Sequence, residues 1–199
     1  MFIVAGASAL SAFKQRQLLS RISALSSVAN TVTTIESQFV YLFDQELSGH
    51  QQTVADQLLN DGQKYALTVA ESGDVQVLVT TRIGTISPWS SKATDIFKNC
   101  NAPVHRLERG ILYTLRGLSQ LNAEVSALLH DRMTETIFAT LESGAALFSE
   151  TAPKPLQSVD ILGHGKDALV KANQEFGFAL SMQEIEYLTD AFTQLGRNP

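Results

Sequence analysis

The sequence predicts an α+β fold, a largely antiparallel sheet with helices packed on it, followed by a small all-α region. Three observations lead there. Segments with helical spacing of apolar residues alternate with short segments rich in β-branched and aromatic residues as far as Phe138. The stretch Glu150-Thr-Ala-Pro-Lys-Pro155, with two prolines and little apolar content, then reads as an extended linker. Beyond it only helical periodicity remains.

Residues 8–26 read as the first helix, with Leu18, Leu19, Ile22 and Leu25 as its apolar stripe and Ser8 or Ser11 as cap. Met1-Phe-Ile-Val-Ala-Gly6 is apolar, but it is short and lacks the basic start of a signal peptide. Residues 32–43 read as a strand, and Gln38-Phe-Val-Tyr-Leu-Phe43 is apolar enough to be buried on both faces. A short helix over 48–60 ends at Asp61-Gly62, and Gly73-Asp74 turns the chain into a strand over 75–82. A loop of Gly, Thr, Ser and Pro follows. Ser90 or Ser91 caps the next helix, whose face is Ala93, Ile96, Phe97 and Cys100, and Ala102-Pro103 breaks it. Residues 104–116 read as a strand, 119–131 as a helix with Leu121, Val125, Leu128 and Leu129, and Met133 to Phe138 as a closing strand. Helices on one face of a largely antiparallel sheet fit this order; the strand order itself stays open.

The domains expected are therefore 1–149, an α+β unit; 150–158, the linker; and 159–199, a helical unit. In the last, a helix runs from Asp167 to Leu180. Ser181 with Glu184 three residues later forms a capping box for the next helix, which ends at Gly196.

Composition bounds the function. The chain has 199 residues, 15 basic and 20 acidic, for a formal charge of −5. That balance argues against non-specific nucleic-acid binding, which needs cations to displace counterions from phosphates. No apolar run approaches the ~20 residues that span a bilayer, and no run of like charge suggests a membrane surface. A single Cys excludes an intrachain disulfide and a cysteine metal cluster. A cytoplasmic protein is expected.

The best candidate for a site is the loop with Arg82, Gly84, Thr85, Ser87, Trp89, Ser90, Ser91 and Lys92. A strand, a hydroxyl-rich loop and a helix N-terminus together can bind an anion, because free N–H groups and the helix dipole both favour negative charge. The plainer reading makes Trp89 a core anchor, Pro88 a turn residue and Ser91 a cap. Arg106, Glu108 and Arg109 form a candidate charge cluster for latching another domain or an anion. Arg106 and Glu108 share a strand face and are placed to pair. His130 ends a helix, where an imidazolium suits the dipole. Cys100, near a helix C-terminus, reads as a packed thiol rather than a nucleophile. Gly163-His-Gly165 lacks the third Gly and the strand of a dinucleotide site and reads as a turn. No catalytic, cofactor or metal residue is expected.

Gly84-Thr-Ile-Ser-Pro-Trp-Ser-Ser-Lys-Ala-Thr-Asp-Ile96 resembles a motif near the N-terminus of the large single-chain phosphoribosylformylglycinamidine synthases, glutamine-dependent ligases of purine synthesis. Arg106-Leu-Glu-Arg-Gly110, His130-Asp-Arg-Met-Thr-Glu135, Ser158-Val-Asp-Ile-Leu-Gly163 and Leu195-Gly-Arg-Asn-Pro199 follow in the order of that family. Asn101 stands where the family usually has Gly, and Asn tolerates the left-handed conformation.

The resemblance implies an N-terminal domain like two copies of the small subunit of multi-chain versions, though no repeat is visible in the sequence. It also implies the start of a helical linker domain. The chain is then expected to be a catalytically inert scaffold of a longer ligase, partnered by the synthetase and glutaminase domains. The ATP and Mg2+ of the parent are expected downstream. The 82–92 loop and the 106–109 cluster are expected to face another domain or the substrate. A free-standing α+β interaction or small-molecule-binding module is the alternative.

Overall fold

Phe2–Ser8 is the first element, an edge strand (β1) where the sequence reading placed no element and started a helix at residue 8. Seven residues, mostly half-buried and with no alternation, carry little signal alone; pairing with the next strand makes them a strand. The helix is shorter than expected, Ala12–Ser23 (α1), and Ser11 caps it by accepting the Lys14 N–H. The structure, a computed structural model, describes residues 1–28, 31–149 and 152–199. It divides into two compact units, Met1–Thr151 and Ala152–Pro199.

In the first unit β2 (Thr34–Phe43), α2 (Gly49–Asn60), β3 (Val75–Thr81), α3 (Pro88–Asn99), β4 (Leu107–Arg116), α4 (Ala123–Leu129) and β5 (Glu135–Phe138) follow, then a 3-10 helix, Glu142–Phe148, that the periodicity did not reveal. The sheet order is β1-β2-β4-β3-β5 and every pairing is antiparallel. The two long strands, β2 and β4, pair along their whole length, from Thr34 opposite Arg116 to Phe43 opposite Leu107.

This order contains a repeat that the residues conceal. Strand, helix, strand, helix occurs twice, and both Phe2 to Val75 and Thr34 to Leu107 are separations of 73 residues. The two copies meet through β2 and β4, their corresponding strands, running antiparallel as a two-fold relation requires.

Alternation along the strands sorts the core. One face packs under the helices in two clusters. Leu18, Ile22, Val125 and Leu129 from α1 and α4 meet Ile35, Val77, Tyr113 and Leu115. Ala55, Ala93 and Phe97 from α2 and α3 meet Tyr41, Phe43 and Leu107. The other face holds Val40, Leu42, Leu78, Leu112 and Phe138 beneath Leu147 of the 3-10 helix. Val40 to Phe43 are therefore all buried.

Residues 63–70 also lie on this second side, in no regular element. Two glutamines supply bonds that a neighbouring strand would otherwise make. The Gln38 amide donates to the Ala66 carbonyl at 2.8 Å and accepts the Thr68 N–H at 2.9 Å. Gln76 donates to the Thr68 carbonyl at 2.8 Å. Buried amides are tolerated because their bonds are made.

The second unit is a helix pair, α5 (Ile161–Phe176) and α6 (Met182–Leu195), around Ile161, Leu169 and Ile185. α5 begins six residues before the expected Asp167, because Asp160 caps it by accepting the Gly163 N–H at 2.9 Å. Gly163-His-Gly165 is thus inside the helix, which kinks at Gly165 (φ 61°, ψ −149°), a conformation open to glycine. The expected capping box of Ser181 and Glu184 is present.

Candidate functional site

The loop after β3 is a rigid connector. The Arg82 N–H donates to the Thr134 carbonyl at 3.1 Å, and Thr85 folds back on the Arg82 carbonyl through its N–H at 3.1 Å and its hydroxyl at 2.6 Å. Gly84, at φ 82°, makes the turn. The cap of α3 is Ser87, not Ser90 or Ser91: its hydroxyl accepts the Ser90 N–H at 2.9 Å, and Pro88 occupies the first helical position. Proline fits there because its missing N–H would have had no helical partner.

The expected negative charge at this helix N-terminus comes from the chain itself. The Glu108 carboxylate, fully buried, accepts the Ser87 N–H at 3.2 Å and the Ser87 hydroxyl at 2.8 Å. Arg106 donates to the same carboxylate at 2.9 Å, so the pair expected at period two is made. Two further Arg106 N–H bonds go to the Thr85 carbonyl at 2.7 Å and the Leu147 carbonyl at 3.1 Å, and its guanidinium lies 5.4 Å from the Phe148 ring centre. One arginine thus ties the loop, β4 and the 3-10 helix together.

Arg109 is not part of that cluster. An odd step along β4 turns it to the helical face, where it lies 4.8 Å from the Phe39 ring and 5.1 Å from Trp89. Trp89 stacks on Tyr41 at 5.9 Å, which makes it the anchor of the plainer reading. Burial pushes the Tyr41 hydroxyl above its usual pKa, opposed by the Arg109 charge.

Lys92 and Ser91 are exposed. So is Cys100, expected to be packed: α3 buries Ser90, Ala93 and Phe97, and Cys100 falls on the C-cap beyond that face. Asn101 takes φ 57°, the left-handed conformation that Asn tolerates. The His130 ring lies 2.7 Å from the Ser126 carbonyl, at the helix end. Asp131 and Glu135 close a local turn, accepting the Met133 and Asp131 N–H groups at 2.7 and 2.8 Å.

Beside the loop opens a cleft of about 730 Å³, walled by Ile83, Ile86 and Phe148, with Asp44, Ser90 and Asp95 among its lining. Asp44 accepts the Arg106 N–H at 3.1 Å and contacts the His105 ring. Two buried polar atoms of the lining residues have no partner among the described residues, Ser90 Oγ and Arg106 Nε. Each such group costs about 1–3 kcal/mol. The sequence reading missed Asp44, His105 and Phe148. They share no periodicity with the loop and reach it only through the strand ends and the 3-10 helix. The one legible signal is a carboxylate placed directly after the apolar run of β2.

Three separate motifs therefore converge at one end of the sheet: 82–92 after β3, 106–110 at the start of β4, and 130–135 at the start of β5. Thr81 pairs with Glu135 across the β3–β5 ladder. The surface they present is apolar at Ile86 (62% exposed) and Met133 (77% exposed). In the second unit the other two motifs meet each other. Asn198 donates to Asp160 at 3.0 Å and accepts the Leu162 N–H at 2.9 Å, and Ser158 donates to the Pro199 carbonyl at 2.8 Å.

Among the described residues no group of three His, Cys, Asp or Glu is placed to hold a metal, and no helix is long and apolar enough to cross a membrane. The family model of the formylglycinamide ribonucleotide amidotransferase N-terminal region matches residues 36–148. That span runs from within β2 to the end of the 3-10 helix and includes all three convergent motifs. The match takes in more than half of the chain, and the chain belongs to this family.

Proposed function

We propose that this chain is the N-terminal scaffold of a glutamine-dependent ligase that converts formylglycinamide ribonucleotide to the amidine. In the parent, ATP with Mg2+ activates the amide oxygen and ammonia from glutamine displaces phosphate, on synthetase and glutaminase domains outside this sequence. The scaffold itself is catalytically inert and works in the cytoplasm. Its part is to dock those domains through the end of the sheet that carries the 82–92 loop.

The observation that carries this reading is the convergence. Motifs from three strand ends gather there, and the buried charges among them are held within the chain, Glu108 by Ser87 and Arg106 by Glu108 and the Thr85 and Leu147 carbonyls. Large apolar side chains are exposed there, Ile83, Ile86 and Met133, beside polar residues such as Lys92, the chemistry of a protein contact.

The test is reconstitution from two polypeptides, this chain and the remainder of the ligase. The chain alone should release no ADP with glutamine, ATP and formylglycinamide ribonucleotide. The mixture should form amidine and co-elute. Ile86→Asp with Met133→Asp should lower co-elution at least about tenfold, as loss of a central apolar contact does. Turnover by the chain alone, or co-elution indifferent to both substitutions, would sink the reading.

A further inference from the structure

We infer that the cleft beside the 82–92 loop is a receptor for a peptide segment of the docked partner, one that presents a backbone carbonyl, an apolar side chain and an adjacent Lys or Arg. The inference rests on the docking reading and specifies what enters the cleft.

Each requirement follows from a group in the lining. Ser90 is 1% exposed and its hydroxyl has no partner among the described residues; Arg106 Nε is buried and has none among them either. Arg106 Nε–H can only donate and the Ser90 hydroxyl is able to, so an acceptor is the one partner type that suits both. A free carboxylate is disfavoured as that acceptor. The Arg106 charge is already taken by buried Glu108, and Asp44 and Asp95 both line the same cleft. A neutral carbonyl meets no such repulsion. Ile83, Ile86 and Phe148 form an apolar wall that suits a Leu-sized side chain. Asp44 is engaged by Arg106 and His105, whereas exposed Asp95 lies on the helix with no ion pair among the described residues. It is the carboxylate to which a basic side chain would turn.

The experiment is an NMR titration of the isotopically labelled chain with two blocked dipeptides, acetyl-Leu-Arg-amide and acetyl-Leu-Glu-amide. The arginine peptide should shift the amides of Gly84, Ser91, Asp95 and Ser149 and bind at least tenfold tighter than the glutamate peptide. Asp95→Asn, on an exposed position that leaves the fold intact, should erase that preference. Ser90→Ala should weaken both peptides while raising the melting temperature of the free chain, because it deletes an unpaired buried hydroxyl. Equal binding of the two peptides, or no shift at the cleft at millimolar peptide, overturns the inference. A chain that co-elutes with the remainder of the ligase yet shows no peptide preference loses only this inference. A chain that prefers the arginine peptide but does not co-elute keeps the cleft as a peptide receptor and loses the docking reading, and with it the partner assigned to the cleft.

Discussion

The Glu108 carboxylate holds Ser87 by two bonds, from its N–H at 3.2 Å and its hydroxyl at 2.8 Å, across 21 residues of chain. One buried acid therefore neutralises the dipole end of α3, positions the cap and pairs with Arg106. Glu108→Ala removes all three at once and leaves a mostly buried guanidinium without its counter-charge. A loss of about 3–5 kcal/mol is expected in urea unfolding, against about 1–2 for Ser87→Ala. The double variant should cost less than the sum, because each substitution already disables the other residue. Strict additivity would show that the two act separately.

Gly117 follows β4 at φ 82°, and a Cβ there would lie 2.4 Å from the Thr31 carbonyl oxygen. Gly62 has a similar φ of 77° with nothing within 4 Å. Gly117→Ala should cost about 2–4 kcal/mol, from backbone strain plus a collision that backbone atoms cannot yield to. Gly62→Ala should cost only the strain, about 1–2 kcal/mol. Paired thermal melts separate the two effects, and equal losses would contradict the close approach.

Trp89 is the sole tryptophan, and its ring contacts both Tyr41 and Arg109. Arg109→Ala should change the emission intensity of the native protein and cost about 0.5–1 kcal/mol of stability. Arg82→Ala, on the exposed loop, should leave the emission unchanged. A spectrum insensitive to Arg109 would remove the cation from the stack.

Asp160 and Asp74 should both titrate below the usual carboxylate range. Asp160 is lowered first by the Gly163 N–H and then by Asn198; Asp74 first by the Gly117 N–H and then by Arg116. In each case the folded carboxyl takes up its proton later than the unfolded one. The stabilisation is therefore complete above about pH 4 and is lost as pH falls through the folded value. Carboxyl-carbon NMR should show both midpoints low in the native chain. Asn198→Ala should raise the Asp160 midpoint and leave that of Asp74 in place.

The sequence alone decided which elements carry a strong local signal. The 34–43 and 75–81 strands, the α2 helix with its Asp61-Gly62 stop, the Ser181–Glu184 box and the Arg106–Glu108 pairing were all readable. Each rests on neighbours within a few residues, where periodicity, capping and turn chemistry act. The motifs also pointed to the family whose model the chain matches.

What tertiary structure decided lies between distant residues. β1 becomes a strand through its pairing with β2, since a half-buried run of seven residues does not commit itself. Ser87 outcompeted Ser90 and Ser91 as cap because a carboxylate 21 residues away holds it, and Ser90 then turns to the interior. Arg109 left its expected cluster because alternation set it on the aromatic face. Cys100 is exposed because the buried stripe of α3 runs through Ser90, Ala93 and Phe97 and stops short of it. The repeat of the first unit shows in the order, spacing and pairing of its elements and not in its residues, because a backbone arrangement can be kept while the side chains that fill it change.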